Sequence, residues 1–285
     1  MNREKIALMV DTGINVPTDL AKQYHMYTVS LRVIYSDGEY SDGVDITAEA
    51  MYERLKEEIP KTSLPSSEDI IKTFDQIRED GYEKLLIVTL SSGLSGTFNL
   101  MRMLASEYEG LEIAIIDTKN IAIAAGFNAI QAARYIEDGM GFERLKKTVE
   151  ENIFKSKVFF CIDTLEYLQK GGRIGLVASV LGTALHLKPI ISCNKEGVYY
   201  TVSKIRGKKK ALDKLMELAL DYAKQGIRYN VAIAYGGAEK EALEVKKKIL
   251  HQLPGCEVYV EGQISPTLGV HTGPGLVGIA IQILE

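Results

Sequence analysis

Short apolar runs recur along the chain, and each is closed by hydroxyl or acidic residues. Ile6 to Val10 runs into Asp11 and Thr12, Leu85 to Leu90 into Ser91 and Ser92, and Glu112 to Ile116 into Asp117 and Thr118. Runs of this length, separated by segments with apolar residues at helical spacing, predict a parallel α/β sheet. A short helix opens at Pro17-Thr18. Strands fill 26–40 around a turn at Ser36-Asp37-Gly38. Thr47 caps a helix running to about Glu58, and Ser66 or Ser67 caps one whose first turn carries Glu68 and Asp69. Helices follow over about 120–138 and 142–154. Beyond Lys157 come a strand at 158–162, a short helix ended by Gly171-Gly172, and an almost wholly apolar stretch, 176–185. Strands at 187–192, 197–203, 230–235 and 256–260, a helix at 238–250 and a final apolar strand complete the pattern. The expected fold is therefore α/β: two α/β domains with mainly parallel sheets, residues 1–155 and 156–285.

Ligands of parallel α/β sheets bind beyond the carboxyl ends of the strands. Three polar strand ends are thus expected to converge on one crevice. The richest is SSGLSGTF, 91–98, a turn between a buried strand and a helix N-terminus. Its backbone N–H groups and the helix dipole suit an anion, and Gly93 and Gly96 let the backbone approach a ligand closely. The four hydroxyls of Ser91, Ser92, Ser95 and Thr97 exceed what a cap requires. In TSLPS, 62–66, capping accounts for the serines after Pro65 but leaves Thr62 and Ser63 without a task. His271, followed by Thr272, Gly273, Pro274 and Gly275, is read as a loop histidine beside flexible glycines. Arg173 follows two glycines. Lys204, Arg206, Lys208, Lys209 and Lys210 form a dense basic run; at a helix start it opposes the dipole, which favours an acidic partner or an anionic membrane surface over a merely solvated face.

With 285 residues, 46% hydrophobic and 25% charged, the chain has ample core. Its net charge of -4 argues against a general nucleic-acid binder. Three widely spaced cysteines form neither a disulfide framework nor a metal pattern, which suits a reducing cytoplasm. The apolar run at the N-terminus is too short for a signal peptide, and no metal-ligand spacing stands out. G-x-G-x-x-G after the first strand and the P-loop pattern are both absent. Gly93-Leu94-Ser95-Gly96 only approximates a nucleophile elbow.

Six motifs together resemble the DegV family of bacterial fatty-acid-binding proteins: Asp11-Thr12 at the first strand end, TSLPS, SSGLSGTF, TLEYLQKGGRIG at 164–175, LKPII at 187–191 and HTGPG at 271–275. The resemblance spans nearly the whole chain. It implies a cytoplasmic two-domain carrier that needs no cofactor beyond its ligand and presents a long-chain fatty acid to a separate fatty-acid kinase. It also implies that Thr62 and a serine of SSGLS hold the carboxylate, with His271 in the same network. The ligand-binding set so implied is Thr62, Ser63, Ser92, Gly93, Ser95, Gly96, Thr97, Arg173, His271 and Thr272. Arg173 and the basic run also lie toward the kinase or membrane. The N-terminal domain then supplies the head-group loops and the C-terminal domain the apolar tail pocket, with 176–185 lining a tunnel. A sixteen-carbon tail gains on the order of 10 kcal/mol gross on burial, at about 0.8 per methylene, before association costs. Two other readings stay open: a serine-dependent acyl hydrolase or kinase-related enzyme using Ser92 or Ser95 with His271, and a regulatory ligand sensor on the same fold.

Overall fold

The structure, a computed structural model, describes residues 2–180 and 187–285. In chain order the first half comprises β1 (Ile6–Asp11), α1 (Thr18–Gln23), β2 (Tyr27–Val29), β3 (Arg32–Tyr35), β4 (Gly38–Ser41), α2 (Ala48–Arg54), β5 (Lys61–Ser63), α3 (Ser67–Glu79), β6 (Lys84–Thr89), α4 (Thr97–Glu107), β7 (Glu112–Asp117), α5 (Ala122–Glu137) and α6 (Phe142–Asn152). The second comprises β8 (Ser156–Cys161), α7 (Glu166–Lys170), β9 (Leu187–Cys193), β10 (Tyr199–Arg206), α8 (Lys208–Ala223), β11 (Tyr229–Gly236), α9 (Glu239–Ile249), β12 (Cys256–Gln263), α10 (Pro266–Thr272) and β13 (Leu276–Ile283). The expected caps form: Thr47 accepts from the Ala50 N–H and Ser66 from the Asp69 N–H.

The α/β architecture expected from the pattern is present. Strands β2-β1-β6-β7 make a wholly parallel sheet. A small antiparallel sheet, β4-β3-β5, carries Thr62 beside it. The third sheet has the order β10-β9-β8-β13-β11-β12, and there the expected parallel pairing is limited to β11 with β12; its other pairs are antiparallel. Two features account for this. β9 and β10 are joined by a tight turn at 194–197, which permits only a hairpin. The last strand, β13, inserts between β8 and β11, against the direction of both.

Helix α5 ties the sheets together. Twelve of its residues, including Phe127 and Ile130, are buried, and it packs against β1 and β6 on one side and β8, β11 and β13 on the other. A helix apolar on every face needs such double cover. One hydrophobic core therefore runs from Leu86 and Val88 of the parallel sheet through Phe127 to Phe160 and Ala280 of the mixed one. No helix among the described residues is long and apolar enough to cross a membrane.

Candidate functional site

The turn after β6 is braced by its neighbours in the sheet. Because β6 lies between β1 and β7, the acidic ends of those strands flank it. Leu90 donates its N–H to Asp11 Oδ2 at 2.9 Å, Ser92 donates to Asp117 Oδ1 at 3.1 Å, and Ser91 donates to the Asn120 carbonyl at 2.8 Å. The three strand ends meet, but mainly as braces for one turn. Burial works against ionisation of Asp117, yet its bonds to Lys119 and Ser92 hold the carboxyl below its usual range.

Beyond the turn lies a cavity of about 180 Å³. One part of its wall is polar: Thr62, Ser63, Ser95, Arg173, Thr267 and His271. The rest is apolar, with Leu64, Leu90, Leu94, Ile121, Tyr199 and Leu268 prominent. Thr62 and His271 are 209 residues apart in the chain, and Thr62 Oγ1 lies 2.7 Å from His271 Nε2. His271 occupies the last turn of α10 rather than the expected loop; Pro266 at the first helical position starts that helix. Burial, with the Arg173 charge nearby, pushes His271 down to about 4, so the ring is neutral near pH 7. Its Nδ1 is buried without a hydrogen-bond partner among the described residues. A Cβ on Gly171 would overlap that nitrogen, so the backbone of the Gly171-Gly172 turn is the surface against which the ring rests.

Arg173 is held in the wall by two carbonyls, donating from Nε to Leu94 at 3.3 Å and from Nη1 to Gly171 at 2.8 Å. It makes no ion pair among the described residues. Ser95 Oγ lies 2.9 Å from Thr97 Oγ1 and accepts from the Thr97 N–H at 3.3 Å.

The remaining expected residues sit elsewhere. Ser92 Oγ accepts from Lys119 Nζ at 2.9 Å, on the side of the turn held by Asp117. Gly93 meets the Asn194–Gly197 turn: a Cβ there would come within 2.8 Å of the Gly197 backbone. Ser91, in the same place, donates to the Gly197 carbonyl at 2.8 Å, which locks this turn onto the β9-β10 hairpin. Gly96 is the residue before α4, Thr97 is buried at its start, and Thr272 is buried with its hydroxyl donating to the Leu268 carbonyl at 3.0 Å. None of Ser92, Gly93, Gly96, Thr97 and Thr272 lines that cavity, but Ser92, Gly93 and Gly96 line a neighbouring one of about 280 Å³ together with Ser95 and Arg173. Of the expected tunnel segment 176–185, residues 181–185 lie outside those described; Leu176 is exposed and Val177 buried. In the basic run, Lys208 is engaged, bridging Asp163 at 2.8 Å and donating to the Gly275 carbonyl, whereas Lys204, Arg206, Lys209 and Lys210 are exposed. The apolar wall residues escaped the sequence reading because single leucines beside turns carry no signal of their own.

Neither Ser92 nor Ser95 is hydrogen-bonded to His271 among the described residues; the histidine's partner is Thr62. Two sheets sharing one buried helix, with a small third sheet beside them and a cavity of mixed polar and apolar wall where the parallel strands end, define the molecule as an α/β protein. The chain belongs to the DegV family: the family model described as "Uncharacterised protein, DegV family" matches residues 5–283. A DegV domain-containing protein of Clostridium acetobutylicum is 39% identical over 279 residues, 98% of this chain and 99% of that one. Among solved structures, a DegV family protein from Thermus thermophilus, described by its fatty-acid binding, superposes with a TM-score of 0.92 at 28% identity and covers 100% of both chains. A stearic-acid-binding protein from Eubacterium ventriosum gives 0.88 at 26% identity over 97% of each.

Proposed function

We propose that this protein is a carrier that binds a long-chain fatty acid, with the carboxylate at Thr62, Ser95, Arg173 and His271, and presents it to a separate fatty-acid kinase. The observation that carries the reading is the pairing, in one cavity, of a guanidinium without a carboxylate partner and an otherwise leucine-rich wall. A carboxylate there receives charge-assisted bonds from Arg173 and hydroxyl donors from Thr62 and Ser95. Neutral His271 fixes the Thr62 hydroxyl. The fatty-acid-binding relatives from Thermus thermophilus and Eubacterium ventriosum support the same ligand class. A volume of about 180 Å³ is below the roughly 300–1,000 Å³ of sites that enclose whole drug-sized ligands. It suits a head group and the first methylenes, so a long tail requires the wall to give beyond them. On this reading the N-terminal half supplies the head-group turn, the C-terminal half supplies Arg173 and His271, and exposed Lys204, Arg206, Lys209 and Lys210 face the kinase or an anionic membrane.

The test is mass spectrometry of lipid extracted from gently purified protein, followed by displacement of a fluorescent fatty acid. Long-chain fatty acid in the extract and displacement by free fatty acid are expected. Thr62→Ala should weaken binding about 5-fold, the worth of one hydrogen bond. Protein that carries no lipid and displaces no probe overturns the carrier reading.

A further inference from the structure

The neighbouring cavity of about 280 Å³ shares Leu94, Ser95 and Arg173 with the head-group cavity and is the more open of the two. The rest of its wall is Ser92, Gly93, Gly96, Gly172, Gly175 and Val198. Among the described residues Leu94 and Val198 are its only aliphatic side chains, so it is no place for an acyl tail, and no acidic side chain lines either cavity. The N–H groups of the 91–97 turn can be followed one by one. Ser91 gives its own to Asn120 and Ser92 to Asp117. Gly93, Leu94 and Ser95 give theirs to Ser91, and Thr97 gives its own to Ser95 Oγ. Only the Gly96 N–H, in the wall of the outer cavity, has no acceptor among the described residues. Thr97 can donate both its N–H and its hydroxyl to Ser95 Oγ, 3.3 and 2.9 Å away, which leaves the Ser95 hydroxyl hydrogen for a ligand. Arg173 uses two of a guanidinium's five N–H donors on the carbonyls of Leu94 and Gly171. The other three are left for whatever occupies the two cavities that it borders.

A guanidinium, a hydroxyl and an open N–H in a wall of glycines favour an anion that can approach the backbone closely. The volume holds a tetrahedral phosphoryl group and its waters, since one water takes up about 30 Å³ of liquid. Resting on the carrier reading, we propose that this outer cavity holds the phosphoryl group of the acyl phosphate that the kinase reaction makes. The carboxylate lies in the inner cavity, and the outer one is the open side from which a second reactant reaches it. One carboxylate oxygen attacks the terminal phosphorus of a nucleoside triphosphate held by the kinase. The new O–P bond forms, the bond from that phosphorus to the bridging oxygen breaks, and its electron pair leaves on the nucleoside diphosphate. No proton moves. The carboxylate loses its charge in the mixed anhydride, and the negative charge then lies farther out, on the phosphoryl oxygens. Arg173 borders both cavities. It therefore pairs with the substrate before the transfer and with the product after it, and the same cation serves both states.

The test uses the full chain and 2-oxoheptadecylphosphonate, in which a methylene replaces the bridging oxygen of palmitoyl phosphate and blocks hydrolysis. Its displacement of a bound fluorescent fatty acid is compared with that by palmitate. The wild type should bind the phosphonate at least as tightly as palmitate. Val198 lines the outer cavity but not the inner one, and so carries the variants. Val198→Asp sets a like charge beside the phosphoryl group and should weaken the phosphonate about 10-fold more than palmitate. Val198→Asn, of the same shape without the charge, should leave the ratio of the two affinities within about twofold of wild type. A chain that binds palmitate but not the phosphonate overturns the inference and leaves the carrier reading standing. So does a ratio that Val198→Asp leaves unchanged, or that both variants change equally. A chain that binds neither ligand overturns the carrier reading and the inference with it.

Discussion

The head-group cavity and a larger one, of about 470 Å³, flank the start of α10, Thr267 and Leu268 lining the first and Ser265 and Pro266 the second, and carry opposite charge. The first offers Arg173 among Thr62, Ser63 and Ser95; the second offers Asp11 and Asp42 among Thr12 and Ser265. Threonine and serine serve both because a hydroxyl donates and accepts equally well. What distinguishes the cavities is the sign of their ionisable groups, one guanidinium against two carboxyls. Arg173 spends two donors on the carbonyls of Leu94 and Gly171 and keeps the rest of its fork for the cavity. Each aspartate spends one oxygen on a distant N–H and is held further by its surroundings, Asp11 by the Gly13 and Ile14 N–H groups and Asp42 by the Thr12, Ser265 and Thr267 hydroxyls. Anchoring Arg173 through only part of its bonding capacity positions it without neutralising it.

The sharpest way to break the comparison is to remove the positive charge. Arg173→Ala should weaken fatty-acid binding roughly 10- to 100-fold, the range of about 1.5–3 kcal/mol for a hydrogen bond to a charged group. Arg173→Lys should recover only part of this, because an ammonium cannot reproduce the planar fork. Unchanged affinity in a displacement assay would place the carboxylate away from Arg173.

Stability against pH separates the cavities next, because their buried groups titrate with opposite sign. His271 is lowered to about 4 from 6.5, so between those values the unfolded chain takes up a proton that the folded one does not. Its contribution is complete above about 6.5 and is lost as pH falls toward 4. Asp11 is raised to about 7 from 3.8; its contribution is complete below about 3.8 and is lost as pH rises through 7. In wild type the two slopes oppose each other. Asp11→Asn should leave the His271 slope exposed, with urea midpoints rising more steeply between pH 4.5 and 6.5 than in wild type. Parallel midpoints for the two proteins would mean that Asp11 ionises as an ordinary surface carboxylate.

The smallest effect is expected outside both cavities. Lys208 bridges Asp163 and caps the Gly275 carbonyl, so the informative pair is Lys209 and Lys210, both exposed. Lys209→Glu with Lys210→Glu should leave fatty-acid affinity within twofold of wild type. It should lower binding to anionic vesicles at low salt, and the difference should close as ionic strength rises. Equal vesicle binding by both proteins at low salt would leave these lysines as a solvated face.

Much of the architecture was legible because local rules write it. The apolar runs of β1, β6 and β7 alternate with helices, and Thr47 and Ser66 cap helices through bonds spanning three residues. The motifs that identify the family are likewise contiguous: SSGLSGTF is a strand end, a turn and a helix start, all set by neighbours in the chain. Tertiary structure decided what those residues face. Ser92 and Ser95 are three positions apart, yet one turns to Lys119 and the other to the cavity, because Asp117 of β7 claims the first. Gly93 read as a place for a ligand to approach; the hairpin turn also presses in there, beside a cavity that Gly93 lines with Ser92, Ser95 and Arg173. His271 meets Thr62 only because α10 closes over β5. Asp11 read as one polar strand end among three until folding buried it beside Asp42, away from any basic side chain. Periodicity and caps act within a few residues of chain. A bond between residues 209 apart, or a charge left unpaired by the company around it, exists only once the sheets have packed.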